Sequence, residues 1–248
     1  MKKTILAAFA ATALTAGIST SASALTLDYI GLSAGKGVKL HGATSPTSVN
    51  NVLAGGLKMS STEIAPFDSF VAWCLDIGTS IKTSYDYSLK AISDTLFTNG
   101  GTAVLLSNAQ KQDIQSLFNT AYSTLDVLDA NKSAGFQLAL WEIAYESSGS
   151  YSLAGGDFYA TQSGSVVSAG ARAQADSFLA GLGGAVTGNY TLAFFESNTT
   201  SNGHGSQNLV MGFVDPSVIA EAPLPAAAWL LIGGMGALGM ASRRRKAA

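Results

Sequence analysis

Cysteine, histidine and charge are all scarce in this chain of 248 residues. A single Cys excludes an internal disulfide, and one Cys with two His excludes a Cys/His zinc cluster. Charged residues make up 12%, about half the ~25% of an ordinary soluble domain. The little charge present is unevenly placed. Lys2 and Lys3 open the chain, Arg243, Arg244, Arg245 and Lys246 nearly close it, and neither tail carries an acid. Residues 25–242 hold 8 cations against 16 acids. A body this acidic is not a nucleic-acid binder, because phosphate contacts need clustered Lys and Arg. No phosphate loop, dinucleotide fingerprint or Asp-rich calcium loop is present, so no cofactor or metal is expected. Apolar residues at 47% and aromatics at 9% nevertheless suffice for a core, which argues against a disordered chain.

The two ends read as addresses. Residues 1–24 have a Lys2–Lys3 start, an apolar stretch from Ile5 to Ile18 and an Ala22-Ser23-Ala24 cleavage site, the three parts of a signal peptide. The mature chain then begins near Leu25. Residues 222–248 hold Pro223-Leu224-Pro225, an uncharged run to Ser242 and the Arg243–Arg245 cluster. As a helix, Leu224–Ser242 would be about 28 Å long, enough to reach across a bilayer core, with the basic cluster left in the cytoplasm. A proline motif, a short apolar helix and a terminal Arg cluster resemble the PEP-CTERM type of sorting signal. The PLPAAAWLL spelling is similar to its VPLPA variant, with Ala222 in place of Val. The resemblance implies handling by a signal peptidase and an exosortase-type enzyme, at least transient membrane anchoring, and delivery to the cell surface or extracellular matrix. A permanent anchor is the alternative.

Residues 25–221 are then the working ectodomain. Strand-like runs occur at Leu25–Leu32, Gly37–His41, Ser69–Ile77 and Tyr87–Ile92, with Ser45–Asn51 as a polar loop. Ser107-x-x-Gln110 has the form of a capping box ahead of a helical stripe through Leu125. A second helix is expected over Ser133–Glu146, with Glu142 and Glu146 as its polar edge. Residues 147–170 read as irregular, 171–182 as a short helix, and Asn189–Glu196 and Asn208–Val214 as late strands. The expected class is α+β: a mostly antiparallel β domain with an inserted helical lobe, flanked by the signal peptide and a single C-terminal transmembrane sorting helix.

Two residues stand out. Both faces of the Ser69–Ile77 strand are apolar, so Cys74 should be covered rather than open to water. Gln137 shares a helix face with Leu140, Trp141 and Ala144, where an unpaired amide would cost on the order of 1–3 kcal/mol. An unpaired thiol outside the cytoplasm also needs protection. A thioester answers both: the thiolate attacks the Gln137 amide carbon, ammonia leaves, and an activated acyl group is stored. The plainer reading makes Cys74 a small buried hydrophobe and pairs Gln137 with a backbone carbonyl.

Cys74-Leu75-Asp76 on a strand, followed by Gln137-Leu138-Ala139-Leu140-Trp141 on a helix, resembles the thioester (TQXA) domains of bacterial surface adhesins. The likeness spans about Phe67–Glu146. It implies that Cys74 and Gln137 form the bond, with Asp76, Trp141 and Glu142 as supporting residues, and that surface amines, hydroxyls or exopolysaccharide are the partners. Trp73 satisfies the family's aromatic before the Cys, whereas Phe136 stands where the family has Thr. Asp76 and Glu142 otherwise read as plain solvated carboxylates. Three functions are expected in order: a covalent adhesin that is not a turnover enzyme, a non-covalent structural or polysaccharide-binding matrix protein with an inert Cys, and a thiol hydrolase using His41 or His204.

Overall fold

The computed structural model describes residues 24–42, 48–63, 68–96, 106–161, 169–185, 188–198 and 205–214. Residues 1–23 of the expected signal peptide, the expected sorting residues Pro223, Leu224, Pro225, Arg243, Arg244 and Arg245, and His204 lie outside them. No helix among the described residues is long and apolar enough to cross a membrane.

Among the described residues seven strands, β1 (Ala24–Gly42), β2 (Ser48–Ser60), β3 (Ser69–Cys74), β4 (Ser84–Ala91), β5 (Phe158–Thr161), β6 (Thr191–Ser197) and β7 (Leu209–Phe213), form one sheet in the order β2-β3-β7-β6-β4-β1-β5. β1 also pairs with β2, so six strands close into a ring and β5 joins the far end of β1. Each of these pairings is antiparallel. Three α-helices, α1 (Asn108–Ala121), α2 (Ala130–Tyr145) and α3 (Ala169–Ala180), fall between β4 and β6 in the chain. The fold is α+β, as expected.

Several boundaries differ from the sequence reading. The two short runs at the start are one 19-residue strand, because β-bulges at Tyr29/Gly31, Leu32/Gly35 and Val38/Leu40 absorb the irregular spacing without ending it. The expected Ser45–Asn51 loop already belongs to β2 from Ser48 onward. At the middle bulge Gly35 pairs with Gly55. A Cβ on Gly35 would lie 2.3 Å from the Ala54 oxygen, and one on Gly55 would lie 2.1 Å from the Ala34 oxygen. These two positions therefore require glycine for close approach of the two backbones. β5 interrupts the segment expected to be irregular, where Phe158 and Ala160 are buried.

Ser107 caps α1, and the reciprocal Ser107–Gln110 capping box is formed. The Gln110 amide also donates to the carbonyls of Ile143 and Ala144, both at 3.0 Å. It thus satisfies orphan acceptors at the end of α2. The helices do not form a separate lobe. α2 is buried from Ser133 through Tyr145 and shares one core with the sheet. Phe136 sits in a ring cluster with Trp73 (centroids 4.6 Å apart), Phe118 (5.1 Å) and Tyr122 (5.5 Å).

Candidate functional site

The site begins with a ridge on α2. Ser133, Gln137, Trp141 and Tyr145 are four apart and lie along one face of the helix. Two of them, Ser133 and Gln137, bond the sheet, and Tyr145 bonds the segment that follows β3. Ser133 Oγ donates to the Ala34 carbonyl (2.7 Å) and accepts the Gly56 N–H (3.0 Å). Tyr145 Oη accepts the Ile77 N–H at 3.0 Å. Between them, Gln137 meets Cys74. Its Oε1 accepts the Cys74 N–H at 3.0 Å and its Nε2 donates to the Cys74 carbonyl at 2.8 Å. The side chain is fully buried.

This clasp explains how a glutamine is tolerated on that face. The amide completes the hydrogen bonding of the last residue of β3, and each side satisfies the other's buried polar groups. The amide is oriented by the backbone of Cys74, and Phe136 is used for packing. Trp141 is buried on the same ridge, and its indole N–H has no hydrogen-bond partner among the described residues.

Cys74 is a free, buried cysteine with 5% of its surface exposed. Its Sγ lies 2.8 Å from Gln207 Oε1 and donates to it. Gln207 Nε2 reaches back to the Asp76 carbonyl at 3.3 Å. Burial pushes the Cys74 thiol well above its ordinary range, and the nearby Asp76 charge adds to the effect. At neutral pH the sulfur is therefore protonated.

Asp76 and Glu142 are not the solvated carboxylates expected; both are buried. Asp76 turns inward because its side chain ties two backbones together. Oδ2 accepts the Asn208 N–H (2.8 Å) and Oδ1 accepts the Thr79 N–H (3.2 Å). Desolvation raises its pKa to about 6 against those two bonds. Glu142 Oε1 accepts the Ser152 N–H at 2.6 Å, while its buried Oε2 has no partner among the described residues. Desolvation, opposed by that bond and aided by Glu146 and Asp176, lifts its pKa to about 7. Glu146 is buried as well and accepts the N–H groups of Ser148 and Asp157. The supposed polar edge of α2 is thus enclosed by the segment 148–157.

The residues that sequence reasoning missed are Gln207, Asn208 and Tyr145. Gln207 lies in a Gly/Ser-rich stretch with no periodic signal, just before β7. Cys74 is bonded by two glutamines, and of the two histidines expected for a thiol hydrolase, His204 lies outside the described residues. His41 stacks on Tyr159 with centroids 4.6 Å apart, where β1 meets β5.

No protein-family profile and no curated protein matches the chain. Among solved structures it is similar to the N-terminal domain of the Streptococcus pyogenes pilus tip adhesin Cpa. That match has 15% identity and a TM-score of 0.42, and covers 73% of this chain and 95% of that one. It is also similar to the N-terminal thioester domain of a Clostridium perfringens surface protein. The cysteine-to-alanine mutant of that domain matches at 11% identity and TM-score 0.42, over 72% of this chain and 99% of that one. The unmutated form matches at 12% identity and TM-score 0.39, over 71% and 99%.

Proposed function

We propose that the chain is an exported cell-surface or extracellular-matrix adhesion module that couples covalently to its target through an internal Cys74–Gln137 thioester. The observation that supports this reading is the clasp. The amide of Gln137 is held against the same residue that carries the chain's one thiol. In the forming step, Sγ bonds to the Gln137 amide carbon, the carbon–nitrogen bond breaks, and Nε2 leaves as ammonia with the thiol's proton. Charge that builds on Oε1 during attack meets an N–H already in place, that of Cys74. Asp76, with a pKa near 6, is the carboxylate suited to carry the proton. An amine or hydroxyl on protein or polysaccharide then attacks the acyl carbon, takes its place on Gln137 and returns the thiol. The module reacts once and is not a turnover enzyme.

In the same proposal, residues 1–24 direct export, and residues 222–248 are a sorting signal handled by an exosortase-type enzyme, with a membrane anchor as the minimum role. A second reading has its own observation. A buried thiol held protonated is also what an inert core cysteine looks like. The chain would then be a non-covalent structural or polysaccharide-binding matrix protein.

Coupling of a fluorescent primary amine to purified residues 25–221 separates the two. The adhesin reading expects labelling at Gln137 that is lost in Cys74→Ala and Gln137→Glu while both variants stay folded. Labelling that survives in either variant, or never occurs in the parent, contradicts it.

A further inference from the structure

Cys74 is held by two glutamines that divide the residue between them. Gln137 takes its peptide N–H and carbonyl, whereas Gln207 takes its sulfur. Gln207 is not placed there loosely. On one side Ser206 Oγ accepts the Lys82 N–H (3.0 Å) and the Tyr87 hydroxyl (2.8 Å). On the other, the Asn208 N–H donates to Asp76, its carbonyl accepts the Leu75 N–H (2.8 Å), and its side chain accepts the Ser197 N–H (2.8 Å). The backbone is pinned on both flanks, so the carboxamide is delivered to the sulfur. Ser206 and Asn208 are buried, but Gln207 is only partly so. It is the partly exposed member of the group that bonds Cys74.

A thiol is a weak donor, and fixing a glutamine costs more side-chain freedom than fixing most residues. The contact therefore has little to offer stability. We propose that Gln207 is the positioning residue and gate of the Cys74 sulfur: it aims the free thiol and must be displaced before a nucleophile or alkylating reagent reaches the sulfur or the acyl group it carries. An oxygen acceptor can bond S–H but not S⁻, so the contact favours the thiol over the thiolate. This inference deepens the thioester reading by naming the residue that controls access to the same centre.

The test follows alkylation of Cys74 by iodoacetamide across pH. It uses the full ectodomain carrying Gln137→Glu, which retains an acceptor and, when protonated, a donor for the Cys74 backbone but has no amide to lose. If the unsubstituted chain shows the full mass of its sequence, the thioester reading fails and its own thiol serves for the same series. Adding Gln207→Ala should speed alkylation about two- to fivefold, the equivalent of one weak hydrogen bond, and move the pH profile down. Adding Gln207→Glu should slow it and move the profile up, because a carboxylate beside the sulfur opposes the thiolate. Loosening of the fold would speed both variants alike. Equal acceleration of both, or no change in either, overturns the inference. Should Gln137→Glu fail to fold, the same pair is read in the unsubstituted chain as the rate of methylamine uptake. That rate should rise in Gln207→Ala, and an unchanged rate overturns the inference.

Discussion

The amide of Gln137 is bonded to Cys74 twice, through Oε1 to its N–H and through Nε2 to its carbonyl. The same contact finishes the β3 ladder, docks α2 on the sheet, and places an acyl carbon beside a thiol-bearing residue. Structure and proposed reactivity are therefore coupled at this point, and substitutions should separate them.

Against the amide form of the chain, before a thioester has formed, Gln137→Ala leaves two buried backbone groups of Cys74 unpaired. At about 1–3 kcal/mol for each, the domain should lose several kcal/mol of stability, read as a lower urea midpoint. Gln137→Glu should lose less at pH 5, where the buried acid is protonated and can both donate and accept. It should lose more at pH 8. Equal urea midpoints for the two variants at pH 5 would contradict the clasp.

Ser133→Ala removes a second anchor of the α2 ridge, freeing the Ala34 carbonyl and the Gly56 N–H. The expected cost is on the order of 1–3 kcal/mol in thermal or urea unfolding. Labelling at Gln137 should persist, because Ser133 touches neither the thiol nor the amide.

Phe136→Thr restores the residue of the resembled family and tests whether its absence matters. Phe136 is fully buried in the ring cluster of Trp73, Phe118 and Tyr122. Loss of most of a buried phenyl costs about 3–5 kcal/mol. The variant should be much less stable and gain no amine labelling. Higher labelling at unchanged stability would show that the hydroxyl, not the Cys74 backbone, orients the amide.

Glu142 sets a pH dependence of stability. Its folded pKa is raised to about 7, so between the ordinary carboxylate range and pH 7 the native state holds a proton that the unfolded state has released. Stability from this group should fall as pH rises through that window and level off above it. Glu142→Gln should flatten the profile, raising the melting temperature at pH 8 relative to the parent with little change at pH 4. A parallel shift at both pH values would contradict the assignment.

Local signals were the legible ones. The Ser107–Gln110 box marks the start of α1 because capping is decided within four residues. Gln137 stood out because an amide among Leu140, Trp141 and Ala144 needs a partner, and the family resemblance pointed to Cys74. Long-range effects were not legible. The sequence signal of β2 is weakened by Gly55, which lets its backbone approach that of β1, and by Gly56, where a Cβ would meet Val71 and Trp73 of β3; both reasons are visible only once the neighbouring strands lie beside it. Glu142 and Glu146 have the spacing of an exposed helix edge, yet the backbone of residues 148–157 folds over them. Gln207 had no pattern at all; only the closure of the sheet through β7 brings it to the sulfur.

The most direct measurement is the intact mass of residues 25–221, the proposed ectodomain, before and after methylamine. The account predicts a mass one ammonia below that of the sequence, converted by methylamine to an adduct that maps to Gln137 with a newly free Cys74 thiol. A mass equal to the sequence, with one thiol that alkylates only after denaturation, would contradict the covalent account and leave Cys74 as a residue of the core.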